Sequence, residues 1–189
     1  KTRLVVREMT DILVLDLVDK GLVTDQVVLT VGYDIDNLTN PDIRRKYKGE
    51  VTTDRYGRQV PKHAHGTANL SRPTSSTRLI TEAVMELYDR IVNPNLLIRR
   101  LNLTANHVVS EQSAQKKETY EQLTLFTDYE AREQQRRAEE TELEKEKKMQ
   151  QAVLDIKKKF GKNAILKGMN FEEGATTIQR NSQIGGHRA

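Results

Sequence analysis

Lys62-His63-Ala64-His65 brings ring nitrogens and a positive charge together within four residues. Alternation puts His63 and His65 on one face of an extended segment, where two imidazoles could begin a metal site. No third ligand of suitable type stands nearby in sequence, and Lys62 opposes a cation, so this pair reads as a polar surface facing phosphate or water. His107 and His187 stand alone, and Asp11, Asp16 and Asp19 read most simply as the solvent face of one helix. No Ser/His/Asp order, glycine-rich phosphate loop or HExxH motif occurs, so neither a catalytic nor a metal site is expected. Phosphate neutralisation is better supported. Residues 44–78 carry nine Lys and Arg against Glu50 and Asp54, a net +7, whereas residues 1–43 carry four basic and eight acidic side chains. Tyr47 and Tyr56 are interleaved with that basic block. Such a stretch suits salt-sensitive binding to a nucleic-acid backbone, although a basic loop also serves solubility.

A second chemistry is apolar. Gln122-Leu123-Thr124-Leu125-Phe126 lies between a charged lead-in and a charged helical pattern, and its apolar residues join no helical or strand-like run. Either they tuck back onto their own domain, or Leu125 and Phe126 fill a pocket on another protein while Gln122 bonds its rim.

The elements that must position these groups follow from periodicity. Val5, Met9, Ile12, Leu13 and Leu17 predict a helix over residues 3–19, stopped at Lys20-Gly21. Residues 26–33 are β-branched and aromatic and predict a strand. Residues 34–60 read as a long basic loop or protruding hairpin. Residues 62–70 predict a half-buried strand with small apolar residues on its inner face. Arg72 to Ser76 is a turn that supplies a helix-capping hydroxyl. Ile80, Ala83, Val84, Leu87 and Ile91 mark a second amphipathic helix, ended by Asn93-Pro94. Residues 97–105 predict a third strand, with Arg100, Asn102 and Thr104 on one face and Arg99, Leu101 and Leu103 on the other. The expected fold is α+β, two helices packed on an antiparallel sheet whose open face is polar and partly basic. Three strands are few for such a sheet.

With 189 residues, 31% of them charged, 5% aromatic and no Trp, the chain is too polar to form one compact globule. A long solvated element is expected. Residues 129–160 fit it, with a sparse first half and a docking stripe at Met149, Val153, Ile156 and Phe160 in the second. Sustained heptads are missing, which argues against a coiled coil. Residues 161–189 have turn chemistry and no core of their own, so they are expected to order only on a partner, or not at all. No Cys is present, no apolar run reaches a bilayer's thickness and no signal-peptide pattern opens the chain. A cytoplasmic protein without membrane partners is expected. The sequence opens inside a helical pattern without an initiator Met, so it reads as a fragment.

Lys62-His-Ala-His-Gly-Thr-Ala-Asn-Leu-Ser-Arg-Pro-Thr-Ser-Ser76, Tyr88-Asp-Arg-Ile91 and Ile98-Arg-Arg-Leu-Asn-Leu103 resemble the little-finger domain of Y-family DNA polymerases, most closely the UmuC-like branch of Gram-positive bacteria. The pentapeptide is similar to bacterial sliding-clamp-binding peptides, and the ending, residues 160–168 and 183–187, is similar to that branch's tail. The resemblance implies the C-terminal part of an error-prone lesion-bypass polymerase of the SOS response. Residues 1–110 would be a little-finger-like DNA-binding domain, 111–128 a linker with the clamp peptide, 129–160 a charged helical arm and 161–189 a tail. It implies backbone contacts to primer–template duplex from Lys62, His63, His65, Thr67, Arg72, Arg99, Arg100 and Asn102. Clamp contacts would come from Gln122, Leu123, Leu125 and Phe126. Magnesium is implied for the parent polymerase, and no cofactor or catalytic residue for this stretch. The family carries a strand ahead of the first helix that this sequence lacks. The sheet is then incomplete, completed by Ala164-Ile165-Leu166, or completed by another copy, and an uncovered edge favours self-association. Two other readings are weighed: a non-enzymatic scaffold with an α+β domain and a charged helix, and an RNA-binding module, which the strands' lack of stacking aromatic pairs disfavours.

Overall fold

A computed structural model describes residues 1–117, 129–184 and 187–188. The pentapeptide with Gln122, Leu123, Leu125 and Phe126 lies outside these described residues. In chain order the elements are α1 (Thr2–Asp19), β1 (Leu22–Tyr33), α2 (Asp36–Thr39), α3 (Pro41–Lys46), β2 (Val51–Thr53), β3 (Gln59–Pro61), β4 (Ala64–Thr74) and α4 (Thr77–Ile91). There follow β5 (Ile98–Asn106), β6 (Val109–Ser110), α5 (Glu111–Lys117), α6 (Tyr129–Phe160), a 3-10 turn (Gly168–Phe171), α7 (Thr177–Asn181), β7 (Gln183–Ile184) and β8 (His187–Arg188).

β1 is the centre of an antiparallel sheet ordered β4-β1-β5, and the short β6 pairs with its first residues, Leu22 and Val23. Because side chains alternate along a strand, Val27, Leu29, Val31 and Tyr33 point to one face, where they are buried with Val6, Val14 and Leu17 of α1 and Ile80, Val84 and Leu87 of α4. The two helices thus cover one face and leave the other open, the expected α+β layering. β4 brings Ala64, Gly66, Ala68 and Leu70 to the covered face. A Cβ on Gly66 would come within 2.8 Å of Leu87 Cδ1 and 3.0 Å of Ile91 Cγ2, so α4 rides close on β4 because no side chain stands there.

β4 runs on through Arg72 to Thr74, where a turn is expected from the sequence. Ser76 is the N-cap of α4, its hydroxyl accepting the Leu79 N–H at 3.2 Å, an arrangement that satisfies one of the helix's orphan donors. Glu146 of α6 reinforces this end, taking the Ser76 hydroxyl proton at 2.6 Å and the Arg78 N–H at 3.0 Å.

The long basic loop expected over 34–60 holds two short helices and the β2–β3 hairpin. Asn40 caps α3 by accepting from the Asp42 and Ile43 N–H groups, with Pro41 as first helical residue. The buried Asn37 clips the loop to the body: its amide donates to the carbonyls of Asp34 and Leu97 and accepts the Leu97 N–H at 2.7 Å.

α6 docks by only part of the expected stripe, since Val153 and Ile156 are half-buried and its ends are not. Gln150 and Leu154 are buried, whereas Met149 and Phe160 are 64% and 67% exposed. Gln150 donates to Ser75 O and Thr77 Oγ1, each at 2.9 Å. Its polar side chain outcompetes the neighbouring apolar ones for the interface because it satisfies groups at the start of α4.

The described part of the tail folds back on the body instead of awaiting a partner. Met169, Asn170 and Thr177 are buried against α1, around the fully buried carboxylate of Glu8. Glu8 accepts from Asn170 Nδ2 (2.8 Å), Thr176 N (2.7 Å), Thr176 Oγ1 (3.1 Å) and Thr177 N (3.3 Å). Burial pushes its carboxyl up, and the hydrogen bonds together outweigh burial and hold it below the usual value. Lys157 pins the start of the tail, donating to Lys162 O (2.6 Å) and Ile165 O (2.9 Å). Asp11 and Asp19, expected to face solvent, pair with Lys167 and Lys158 respectively. Ala164-Ile165-Leu166 forms no strand and does not complete the sheet.

Candidate nucleic-acid interface

The open face of the sheet is a polar ladder. Across β4, β1 and β5 its rungs are Asn69, Gln26 and Asn106; Thr67, Val28 and Thr104; His65, Thr30 and Asn102. Gln26 donates to Asn69 Oδ1 and accepts from Asn106 Nδ2, both at 2.9 Å, and Thr30 Oγ1 lies 2.8 Å from His65 Nδ1. These bonds hold the short side chains in place and leave the rungs without a carboxylate.

At the Gly32 end the ladder runs into a cleft of about 580 Å³ between the sheet and the β2–β3 hairpin. Its lining includes Thr30, Arg99, Arg100, Asn102 and His63 on the sheet side and Arg55, Tyr56 and Arg58 on the hairpin side. Arg99 comes here through a bulge. Tyr33 pairs with Ile98 and Gly32 with Arg100, so Arg99 is the extra residue between them. Ile98 and Leu101 consequently both join the core margin. Arg99 and Arg100 are both exposed, correcting the expectation that Arg99 shares the face of Leu101 and Leu103.

Four guanidinia therefore converge on one cleft, against two carboxylates. Arg58 and Asp54 form a two-pronged pair (2.9 and 2.7 Å). The Arg58 guanidinium, with the Arg58 and Tyr56 N–H groups, holds the Asp54 carboxyl below the usual carboxylate range. Arg99 lies 3.6 Å from Asp34. Arg55 and Arg100 have no carboxylate partner among the described residues.

Of the residues expected at DNA, the fold gathers His63, His65, Thr67, Arg99, Arg100 and Asn102 on this face. It does not bring Lys62 or Arg72 to it. Lys62 follows β3 at the hairpin base, where its amine bonds Glu50 at 2.7 Å. Arg72 has the parity of Leu70, so it points away from the ladder, 3.4 Å from Glu139 of α6. Thr30 belongs to the cleft although it was not expected there, and Arg55, Tyr56 and Arg58, expected only as part of the basic block, join the sheet residues in it. Their signal was the Asp54-to-Gly57 turn, with Asp first and Gly last, which folds the hairpin over the sheet.

Among the described residues no group of three or more His, Cys, Asp or Glu is placed to hold a metal ion. No helix among them is long and apolar enough to cross a membrane.

Residues 2–119 match the family model described as the impB/mucB/samB family C-terminal domain. No curated protein and no solved structure matches the chain. The matched stretch covers α1 to α5, including the whole sheet and the arginine cleft, and amounts to more than half of the sequence. The chain belongs to the impB/mucB/samB family, as the C-terminal region of a Y-family DNA polymerase.

Proposed function

We propose that this region holds primer–template duplex through the DNA backbone while a translesion polymerase copies damaged template, and that the segment after it tethers the enzyme to a sliding clamp. The observation that carries the duplex reading is the convergence of Arg55, Arg58, Arg99 and Arg100 on a sheet face whose rungs hold only amides, hydroxyls, an imidazole and Val28. Guanidinia matched to phosphate oxygens give affinity without base reading, which suits an enzyme that must accept any template. His63, His65, Thr67 and Asn102 contribute short polar contacts beside them. Lys62 and Arg72 are left out of the contact set.

Duplex titration at two salt concentrations tests this reading. Binding should weaken steeply with salt. Arg99→Glu with Arg100→Glu should weaken it alike for every sequence and lower the log–log salt slope by about two. A change in sequence preference would contradict backbone contact, and no binding at low salt would favour a protein-scaffold role.

The clamp reading rests on Gln122, Leu123, Leu125 and Phe126 in the sequence. Leu125→Ala with Phe126→Ala should abolish binding to purified bacterial clamp and leave the melting of the α+β domain unchanged. A fall in melting temperature would mean that these side chains belong to the core.

A further inference from the structure

The tip of the β2–β3 hairpin is built more firmly than a solubilising loop requires. Asp54 Oδ1 accepts the N–H groups of Tyr56 (2.9 Å) and Arg58 (3.0 Å), while its Oδ2 takes the two prongs of Arg58. Backbone bonds from Asp54 N to Arg58 O (2.8 Å) and from Gly57 N to Asp54 O (3.0 Å) close the turn. Gly57 supplies the positive φ of 78° that the turn needs, with open space where a Cβ would stand. On this frame Tyr56 is held at the mouth of the cleft with 65% of its surface exposed. The guanidinium carbons of Arg55 and Arg58 lie 4.7 and 5.1 Å from its ring centroid.

An exposed aromatic ring costs solvation and adds nothing to a core. On a rigid turn beside uncompensated arginines, it is the arrangement that proteins use to stack an unpaired base while cations hold the flanking phosphates. We propose that Tyr56 is a stacking platform for one unpaired nucleobase of a DNA strand, with Arg55 and Arg100 taking the phosphates on either side. The proposal rests on the duplex-holding reading and extends it to a junction. The cleft would then prefer DNA whose paired part lies along the ladder and whose single-stranded part passes the hairpin tip. Arg58, committed to Asp54, is a positioning residue that sets the ring's orientation.

The test compares two DNAs by fluorescence anisotropy at low salt: a flush duplex, and the same duplex with a short single-stranded extension carrying 2-aminopurine at successive positions. The wild-type chain should bind the extended DNA several-fold more tightly and change the emission of 2-aminopurine at one position. Tyr56→Ala should remove the preference, a loss of about 5- to 100-fold if one stacked base is lost. It should also abolish the emission change and lower flush-duplex affinity far less than affinity for the extended DNA. Tyr56→Phe and Tyr56→Trp should keep both effects, because stacking needs the ring and not the hydroxyl. Equal affinity of the wild type for both DNAs would overturn the stacking platform while leaving duplex holding intact. A loss on Tyr56→Ala that is equal for both DNAs would likewise overturn it, making Tyr56 a backbone contact. Failure of the wild type to bind either DNA would overturn the duplex reading and the platform with it.

Discussion

Glu8 shows how much one side chain can carry. It sits in the middle of α1, fully buried, and its acceptors are filled by Asn170, Thr176 and Thr177, more than 160 residues away in sequence. Replacing it by Ala leaves those donors facing an apolar wall, at about 1–3 kcal/mol for each one unsatisfied. Releasing the tail costs less, so Glu8→Ala should raise hydrogen exchange and proteolysis across residues 168–181 while β1 stays protected. Acid should act the same way. The folded-state pKa of Glu8 lies below its ordinary value of 4.5, so its contribution is complete above that value and is lost as pH falls through the depressed one. Exchange measured down a pH series should show the tail opening in acid, and Glu8→Gln should flatten that dependence. Asn37 is the comparable residue on the other side of the molecule. Asn37→Ala strands the Leu97 N–H inside, while the Asp34 and Leu97 carbonyls keep the backbone N–H groups of Asn37 and Asp34, and should lower stability by about 1–3 kcal/mol in denaturant titration.

Among the elements, β5 and the β2–β3 hairpin decide what the face can touch. A regular β5 would have turned Arg99 toward the helices, where burying a charge without a partner is prohibitive. The bulge at Arg99 lets Ile98 and Leu101 both reach the core and presents two consecutive guanidinia to the cleft. Deleting Arg99 should therefore leave a regular strand in which Ile98 still pairs with Tyr33 and Arg100 with Gly32, and it should reduce duplex binding about as much as Arg99→Ala does. The packing of α4 on β4 depends on a missing side chain. Gly66→Val would drive methyl groups into Leu87 and Ile91, and overpacking of this kind costs about 1–3 kcal/mol. A lower urea midpoint at an unchanged m-value would report it.

At the scale of the whole molecule, α6 and the tail form a buttress on α1 and the start of α4, on the side away from the open sheet face. Glu146 and Gln150 hold the N-terminus of α4. Lys147 reaches Glu111 at 2.5 and 2.6 Å, at the start of α5. The helical extension thus returns to the body on which it started, and residues 122–126 fall between α5 and α6 in the sequence. If residues 122–126 bind a clamp and the sheet face holds duplex, as proposed, the clamp would be kept near that face, which would raise the effective concentration of each for the other. Clamp loaded on DNA should then increase this chain's apparent DNA affinity by more than the separate affinities account for, and Leu125→Ala with Phe126→Ala should remove the increase.

Local order was legible in the sequence, because helix and strand patterns depend on neighbours two to four residues away. Val5, Met9, Ile12, Leu13 and Leu17 announced α1, and Ile80, Ala83, Val84, Leu87 and Ile91 announced α4, while the alternation through Lys62 to Leu70 announced β4. Which face of α1 turns inward was not legible, since Val6, Val14 and Leu17 are buried and Ile12 is exposed. The α+β layering and the polar, basic sheet face followed from them. The tertiary structure alone decided the burial of Glu8 and the burial of Gln150 in place of Met149. It also turned Arg99 into the cleft, removed Arg72 to α6 and folded the tail against α1. Each of these rests on a hydrogen bond, ion pair or register whose partner lies far along the chain. The residues that supply such partners carry no periodic signature, and only closure of the fold brings them within reach.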